Sequence, residues 1–365
     1  MKVLFVGDLH LRERELSTTK GLVQTSSDML DGIIEFVEND EEIKFVIFEG
    51  DIQHDTPKSQ RTLRETTIWK SKLSKLGSII AERGAKFIAV PREQDDELSD
   101  KTPPKQLPLF SLVGNHDIEK KLKSVYKGYN YTFFDDLLYT GTLQNPRGIL
   151  FKDSGKVYYI QFNNYGEADM PIDDSVKELD PNIKYIKVLH DTVKAPTSPN
   201  WFSLLGDGEY YVAEDILGDC DLAICGHIHE PLPPVVVRGN GKMGTGQTIF
   251  LQTGSMGRTS FTDDNMRDFG YCTLMDTSDG INVREVRIPL MSTEDYFNWK
   301  QIHLNNTKKE SIKKGQMFKL DFGQVELNHT DPKDDIRQLD IEEDVKENCL
   351  NAINKVDNAE NEEEY

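Results

Sequence analysis

Four times in this chain an apolar run stops at a glycine and is followed at once by side chains that bind metals. The segments are "FVGDLH" (Asp8, His10), "IFEGDIQ" (Asp51), "SLVGNHD" (Asn115, His116) and "AICGHIH" (His227, His229), and a fifth, "IKVLHD", ends its apolar run on His190 without the glycine. This format constrains the fold strongly. Strands of one sheet that end at the same edge bring their terminal residues together, and the carboxyl edge of an open α/β sheet is where ligands sit. Glycine lets the backbone leave the strand sharply with no side chain in the way. Five of the eight histidines fall in these segments. A lone strand-end histidine reads as a hydrogen-bonded structural residue, whereas the joint pattern reads as a ligand cluster.

The donor set is mixed: carboxylates, imidazoles and one amide oxygen. It suits divalent first-row metals such as Mn²⁺, Fe²⁺ or Zn²⁺, and neither a thiolate zinc site nor an all-oxygen calcium site. So many donors are too many for one ion that keeps open positions; they fit two ions about 3.5–4 Å apart with one shared carboxylate. The four cysteines show no C-x-x-C spacing and read as buried, reduced thiols.

Through the first half, apolar strands alternate with amphipathic stretches. "SSDMLDGIIEFVEND" and "KSQRTLRETTIWKSKLSKLGSIIAERG" have helical periodicity, and "KVLFVGD", "KFVIFEGD", "AKFIAV" and "LPLFSLVGNHD" are strand material. The second half is rich in short strands with few helices between them. Together these predict an α/β fold of two mixed β-sheets packed face to face with helices outside. The expected boundaries are a main domain at 1–290 carrying a mobile Pro- and acid-rich insertion at 91–107, a small extension at 291–330 and an acidic tail at 331–365. The tail holds 13 acidic and 4 basic residues, a net −9 of the chain's −20, so the acidity of the whole is no strong argument against a polyanionic ligand. No apolar run approaches the length of a membrane helix, and "MKVLFVGDLHL" turns polar too soon for a signal peptide. The expectation is a cytoplasmic protein with no membrane association.

The motifs "GDLH", "GD", "GNHD", an isolated "H" and "GHIH", in this order over residues 7–229, resemble those of the calcineurin-like metallophosphoesterases. The resemblance implies the four-layer α/β/β/α sandwich and a dinuclear centre. It implies that Asp8, His10 and His229 hold one metal, that Asn115, His190 and His227 hold the other, and that Asp51 bridges both. Mn²⁺ is the expected ion, with Fe²⁺, Zn²⁺ or Mg²⁺ as alternatives. Such a pair would make a bound water acidic enough to supply hydroxide near neutral pH. His116 is expected to protonate the leaving alkoxide or steady the phosphoryl oxygens. Asp117 is expected to orient the His116 ring, with a capping role at the turn as the plainer reading.

The metal motifs do not choose the phosphoester. The stretch after "GNHD" holds Lys120, Lys121, Lys123 and Lys127 interleaved with Tyr126, Tyr129 and Tyr131, a composition suited to phosphates and stacked bases. "GHIHEP" and "LQTGSMGRTSFTDDNMRDFGYCTLMD" resemble the SbcD-type DNA repair nucleases. "IQHD" after Asp51 departs from that group and leaves His54 either a substrate contact or an ordinary exposed residue. The expected activity is therefore hydrolysis of DNA phosphodiester bonds, exo- or endonucleolytic. A coiled-coil ABC-type ATPase is the implied partner, and a homodimer is a further expectation. The rival readings are a phosphomonoesterase or a protein or nucleotide phosphatase with the same centre, and a catalytically silent scaffold.

Overall fold

A computed structural model describes residues 1–12, 16–54, 63–92, 107–117, 133–172, 174–199, 202, 204–206, 208–258 and 266–307. In chain order the strands are β1 (Lys2–Val6), β2 (Ile43–Phe48), β3 (Phe87–Val90), β4 (Leu109–Ser111), β5 (Gly148–Asp153), β6 (Lys156–Asn163), β7 (Lys184–His190), β8 (Val193–Lys194), β9 (Tyr211–Val212), β10 (Leu222–Gly226), β11 (Leu232–Arg238), β12 (Gln247–Gln252), β13 (Phe269–Asp276) and β14 (Asn282–Pro289). The helices are α1 (Leu22–Glu38), α2 (Leu63–Glu82), α3 (Phe133–Tyr139), α4 (Asp174–Lys177), α5 (Ala213–Ile216) and α6 (Thr293–Tyr296).

Two mixed sheets result, as the pattern predicts. One has the order β14-β13-β1-β2-β4, the other β11-β12-β10-β7-β6-β5-β3. In the first, β1, β2 and β4 run parallel. In the second, β7 is parallel to both β6 and β10, and β10 to β12. Side-chain alternation along β1 shows the layering. Val3 and Phe5 enter a core shared with Ile186, Val188, Leu222 and Ile224 of the second sheet. Leu4 and Val6 point the other way, into a core with Met29, Ile33 and Val37 of α1 and Trp69, Leu73 and Leu76 of α2. A third core covers the far face of the second sheet, where Leu189, Ala223 and Cys225 meet Ala168, Ala213 and Ile216. The helices of that layer, α4 and α5, have only four residues each, in keeping with the strand-rich second half.

Two local outcomes were not legible in the periodicity. Helix α1 starts at Leu22, ahead of the apolar repeat, because Thr25 and Ser26 are themselves buried. The Ser26 hydroxyl donates to Leu22 O at 3.0 Å and accepts Arg12 N–H at 3.1 Å, so a polar residue occupies the buried face with its hydrogen bonds satisfied. Strands β3 and β4, adjacent in sequence, lie in different sheets.

The chain divides into two compact units, Met1–Trp299 and Lys300–Tyr365. Within the first, α6 is tied back by Lys20 N–H to Tyr296 O at 2.9 Å and by the Tyr296 hydroxyl to Arg258 O at 2.8 Å. In the second, residues 300–307 are helical, and the tail expectations lie outside the described residues, as does most of the insertion expected at 91–107. Cys220, Cys225 and Cys272 are buried free thiols. Among the described residues no helix is long and apolar enough to cross a membrane.

Candidate metal centre

The donors converge because five parallel strand ends meet across the two sheets. In the first sheet β1 leads to Asp8 and His10, β2 to Asp51 and β4 to Asn115; in the second β7 ends at His190 and β10 leads to His227 and His229. Backbone bonds fix the exits: Glu49 N–H donates to Val6 O at 3.0 Å, Leu112 N–H to Phe48 O at 3.0 Å and His10 N–H to Asp51 O at 2.9 Å. Gly50 has φ +107°, and a Cβ there would stand 2.4 Å from His190 Nδ1. Three donor residues adopt the left-handed region without being glycine: His10 (φ +47°), Asp51 (φ +48°) and His227 (φ +76°). Such conformations are costly and cluster where side chains must be aimed.

Two clusters form. Asp8, His10 and His229 make one, and Asp51, His190 and His227 the other, with donor atoms in each mutually within 4.8 Å. Asn115 Oδ1 joins the second, 3.2 Å from His190 Nε2 and 3.0 Å from His227 Nδ1. Asp51 straddles the two: Oδ1 lies 3.4 Å from His190 Nε2 and Oδ2 lies 3.8 Å from His10 Nε2. In the first cluster His10 Nε2 and His229 Nε2 face each other at 2.8 Å, and Asp8 Oδ2 is 3.6 Å from the latter.

Protonation states fit cation binding. Burial, followed by neighbouring imidazoles, holds His10 well below its ordinary value, and burial brings His227 down to about 4; both are neutral, the ligand form. His190 Nδ1 donates to Glu49 O at 2.6 Å, which leaves Nε2 facing Asp51 and Asn115. Burial works to lower His190, but the Asp51 and Asp8 carboxylates outweigh it and push it up to about 10. Burial works to raise Asp51, and His190 and His10 hold it below the usual carboxylate range. Burial lifts Asp8 to about 7. The carboxylates thus gather positive charge at the spot where the donors converge, and a divalent cation matches that demand with the same N/O set.

His116 and Asp117 lie beside the clusters. The His116 backbone N–H donates to Asp51 Oδ1 at 2.8 Å, and its ring packs edge-on to His10 with centroids 5.1 Å apart. The expectation that Asp117 orients this ring needs correction. The His116 Nδ1 partner is the His54 carbonyl at 2.7 Å, and the His54 ring stacks on it at 4.7 Å. Asp117 accepts Gly114 N–H at 3.0 Å and Gln53 N–H at 3.3 Å, so it staples the β4 turn to the segment after β2. A backbone carbonyl was as close as any carboxylate, and residue types cannot reveal that. His54, open in the sequence, also places its Nδ1 3.1 Å from His10 Nδ1. Lys120, Lys121, Lys123, Tyr126 and Lys127 lie outside the described residues.

Two nearby residues were missed by the sequence reading. Glu49 is fully buried; burial, with Asp8 adding to it, pushes its carboxyl up to about 8. Its signal was present, an acid inside the apolar run "VIFEGD". Tyr165 is 44 % exposed, with its ring 5.7 Å from that of His227, and nothing in its local sequence marks it.

Residues 1–231 match the profile of the family described as calcineurin-like phosphoesterase. No curated protein matches the chain. Among solved structures it is similar to a hypothetical protein from Thermus thermophilus, at 13% identity over 79% of this chain and 100% of that one, TM-score 0.38. It is also similar to an archaeal phosphodiesterase, at 14% identity over 79% and 99%, TM-score 0.31. A third is the NAD nucleotidase of Haemophilus influenzae, at 10% identity over 85% and 56%, TM-score 0.39.

Proposed function

The chain belongs to the calcineurin-like phosphoesterase family, and from that premise we propose that it is a metal-dependent phosphodiesterase whose substrate is DNA. The observation that carries the hydrolytic reading is the convergence of Asp8, His10 and His229 with Asp51, Asn115, His190 and His227 at one edge. Divalent cations, when bound, supply Lewis acidity at the phosphoryl oxygens and an acidified water as nucleophile. These seven residues would hold them, with Asp51 placed to serve both. His116 has Nδ1 committed to the His54 carbonyl, which makes Nε2 the ring position that delivers a proton to the departing alkoxide. Asp117 and His54 hold that imidazole in place through the backbone.

The support for DNA is the run of lysines and tyrosines at 120–131, directly after Asn115–Asp117. The mixed donor set supports Mn²⁺ as the ion, and the resemblance to SbcD-type nucleases supports a coiled-coil ABC-type ATPase as partner. The test is an activity panel of bis-aryl phosphate, mono-aryl phosphate, single-stranded DNA and duplex ends, each with Mn²⁺ and with chelator. Cleavage of the diester and of DNA, abolished by chelator, is expected. Efficient monoester hydrolysis with DNA untouched would replace this reading with a phosphatase.

A further inference from the structure

A cavity of about 390 Å³ opens beside β8 and β9, with Lys194, Pro196, Pro199, Phe202, Tyr210 and Glu214 on its walls. Its volume lies in the range of small-molecule pockets. The walls combine two aromatic rings and two prolines with one cation and one anion. Phe202 is buried and meets the Tyr210 ring edge-on, centroids 6.4 Å apart. The Lys194 ammonium stands 5.1 Å from the Tyr210 centroid, and among the described residues neither Lys194 nor Glu214 has an ion pair.

The cavity adjoins the segment by which the chain leaves the metal centre. Lys194 follows the donor His190 by four residues, so the two Cα atoms are no more than about 14 Å apart, a span of a few nucleotides. Tyr211 N–H donates to Thr192 O at 2.8 Å, which fixes β9 to the turn that leaves His190. Asp191 Oδ2 accepts Gly166 N–H at 2.9 Å, which holds the Tyr165 turn against the same segment. Half-exposed Tyr165 thus stands at the His227 side of this segment, and the cavity lies at its other end.

We propose that this cavity takes one unpaired nucleobase of the DNA strand whose phosphodiester lies at the metal centre. The inference rests on the DNA reading above and specifies how the strand is held. A planar base stacks on an aromatic or proline wall without regard to sequence. Lys194 meets a backbone phosphate, and Glu214 accepts from an exocyclic amine, as carboxylates do from cytosine N4. A paired base cannot reach such a pocket without leaving its stack, so single strands and frayed ends are favoured over blunt duplex.

The experiment uses the full chain with Mn²⁺ and a fluorescein-labelled phosphorothioate single-stranded decamer, with binding read by anisotropy. Tyr210→Ala is expected to raise Kd about tenfold, the loss of one stacked base, while Tyr210→Phe retains binding. Bis-aryl phosphate turnover should stay within twofold of wild type in both, which also shows that they fold. In a series of decamers each with a single abasic position, one position should bind wild type as weakly as the intact decamer binds Tyr210→Ala, and that position should cost Tyr210→Ala nothing further. Wild-type Kd in Tyr210→Ala, with DNA still bound and cleaved, overturns the base pocket and leaves the nuclease reading standing. A wild-type protein that turns over bis-aryl phosphate yet neither binds nor cleaves single-stranded DNA overturns both.

Discussion

Glu49→Gln isolates a buried proton behind the metal centre. Glu49 is fully buried, with Oε1 accepting the Thr253 hydroxyl at 2.5 Å. Burial moves its carboxyl from 4.5 to about 8. Below pH 4.5 the group is neutral in both the folded and the unfolded chain. Between 4.5 and 8 the unfolded chain releases the proton and the folded one keeps it, so the folded state loses stability as pH rises through this window. At about 1.4 kcal/mol per pH unit, the loss is at most about 5 kcal/mol. Glutamine has the same shape, keeps the acceptor for Thr253 and cannot ionise. Urea unfolding in chelator at pH 4.5, 6 and 8 should show the variant within about 1 kcal/mol of wild type at the lowest pH. It should be several kcal/mol more stable than wild type at the highest. A difference that does not change with pH would mean Glu49 is ionised in the fold, and the reasoning fails.

Replacing His116 with Ala should leave metal content unchanged by elemental analysis and lower turnover about 10²- to 10⁴-fold, most for poor leaving groups, whereas His227→Ala should lose metal from one site; equal metal loss in both would remove His116 from its proton-delivery role. Gly50→Ala places a methyl 2.4 Å from His190 Nδ1 at φ +107°, and should cost about 3 kcal/mol or more in a denaturant titration together with metal affinity. Because the carboxylates hold a proton on His190 up to about pH 10 in the cation-free site, metal uptake at pH 7 should release protons. Calorimetry in two buffers of different ionisation enthalpy would read the release as a difference in apparent heat; identical heats would contradict it.

How far the centre was legible in the sequence follows from which forces act locally. Asp8, His10, Asp51, Asn115, His190, His227 and His229 announced themselves, because each sits directly after an apolar run and parallel strands bring such ends to one edge. The period of two along a strand sets Val3 and Phe5 on one face and Leu4 and Val6 on the other, but which core each face meets came from the packing. Glu49 was visible as an acid in an apolar run, but not that burial keeps its proton.

What tertiary structure alone decided is the partnership of each polar atom. Nothing local to "GNHD" says that the His116 Nδ1 finds the His54 carbonyl, or that Asp117 turns to the backbone of Gly114 and Gln53. Tyr165 comes beside His227, and β3 leaves β4 for the other sheet, only through packing across residues distant in the chain. Strand ends and apolar periodicity are written in neighbouring residues and determine where the donors gather. Hydrogen-bond partners, left-handed backbone at His10, Asp51 and His227 and the cavity beside Lys194 depend on segments meeting in space, and those the fold had to supply.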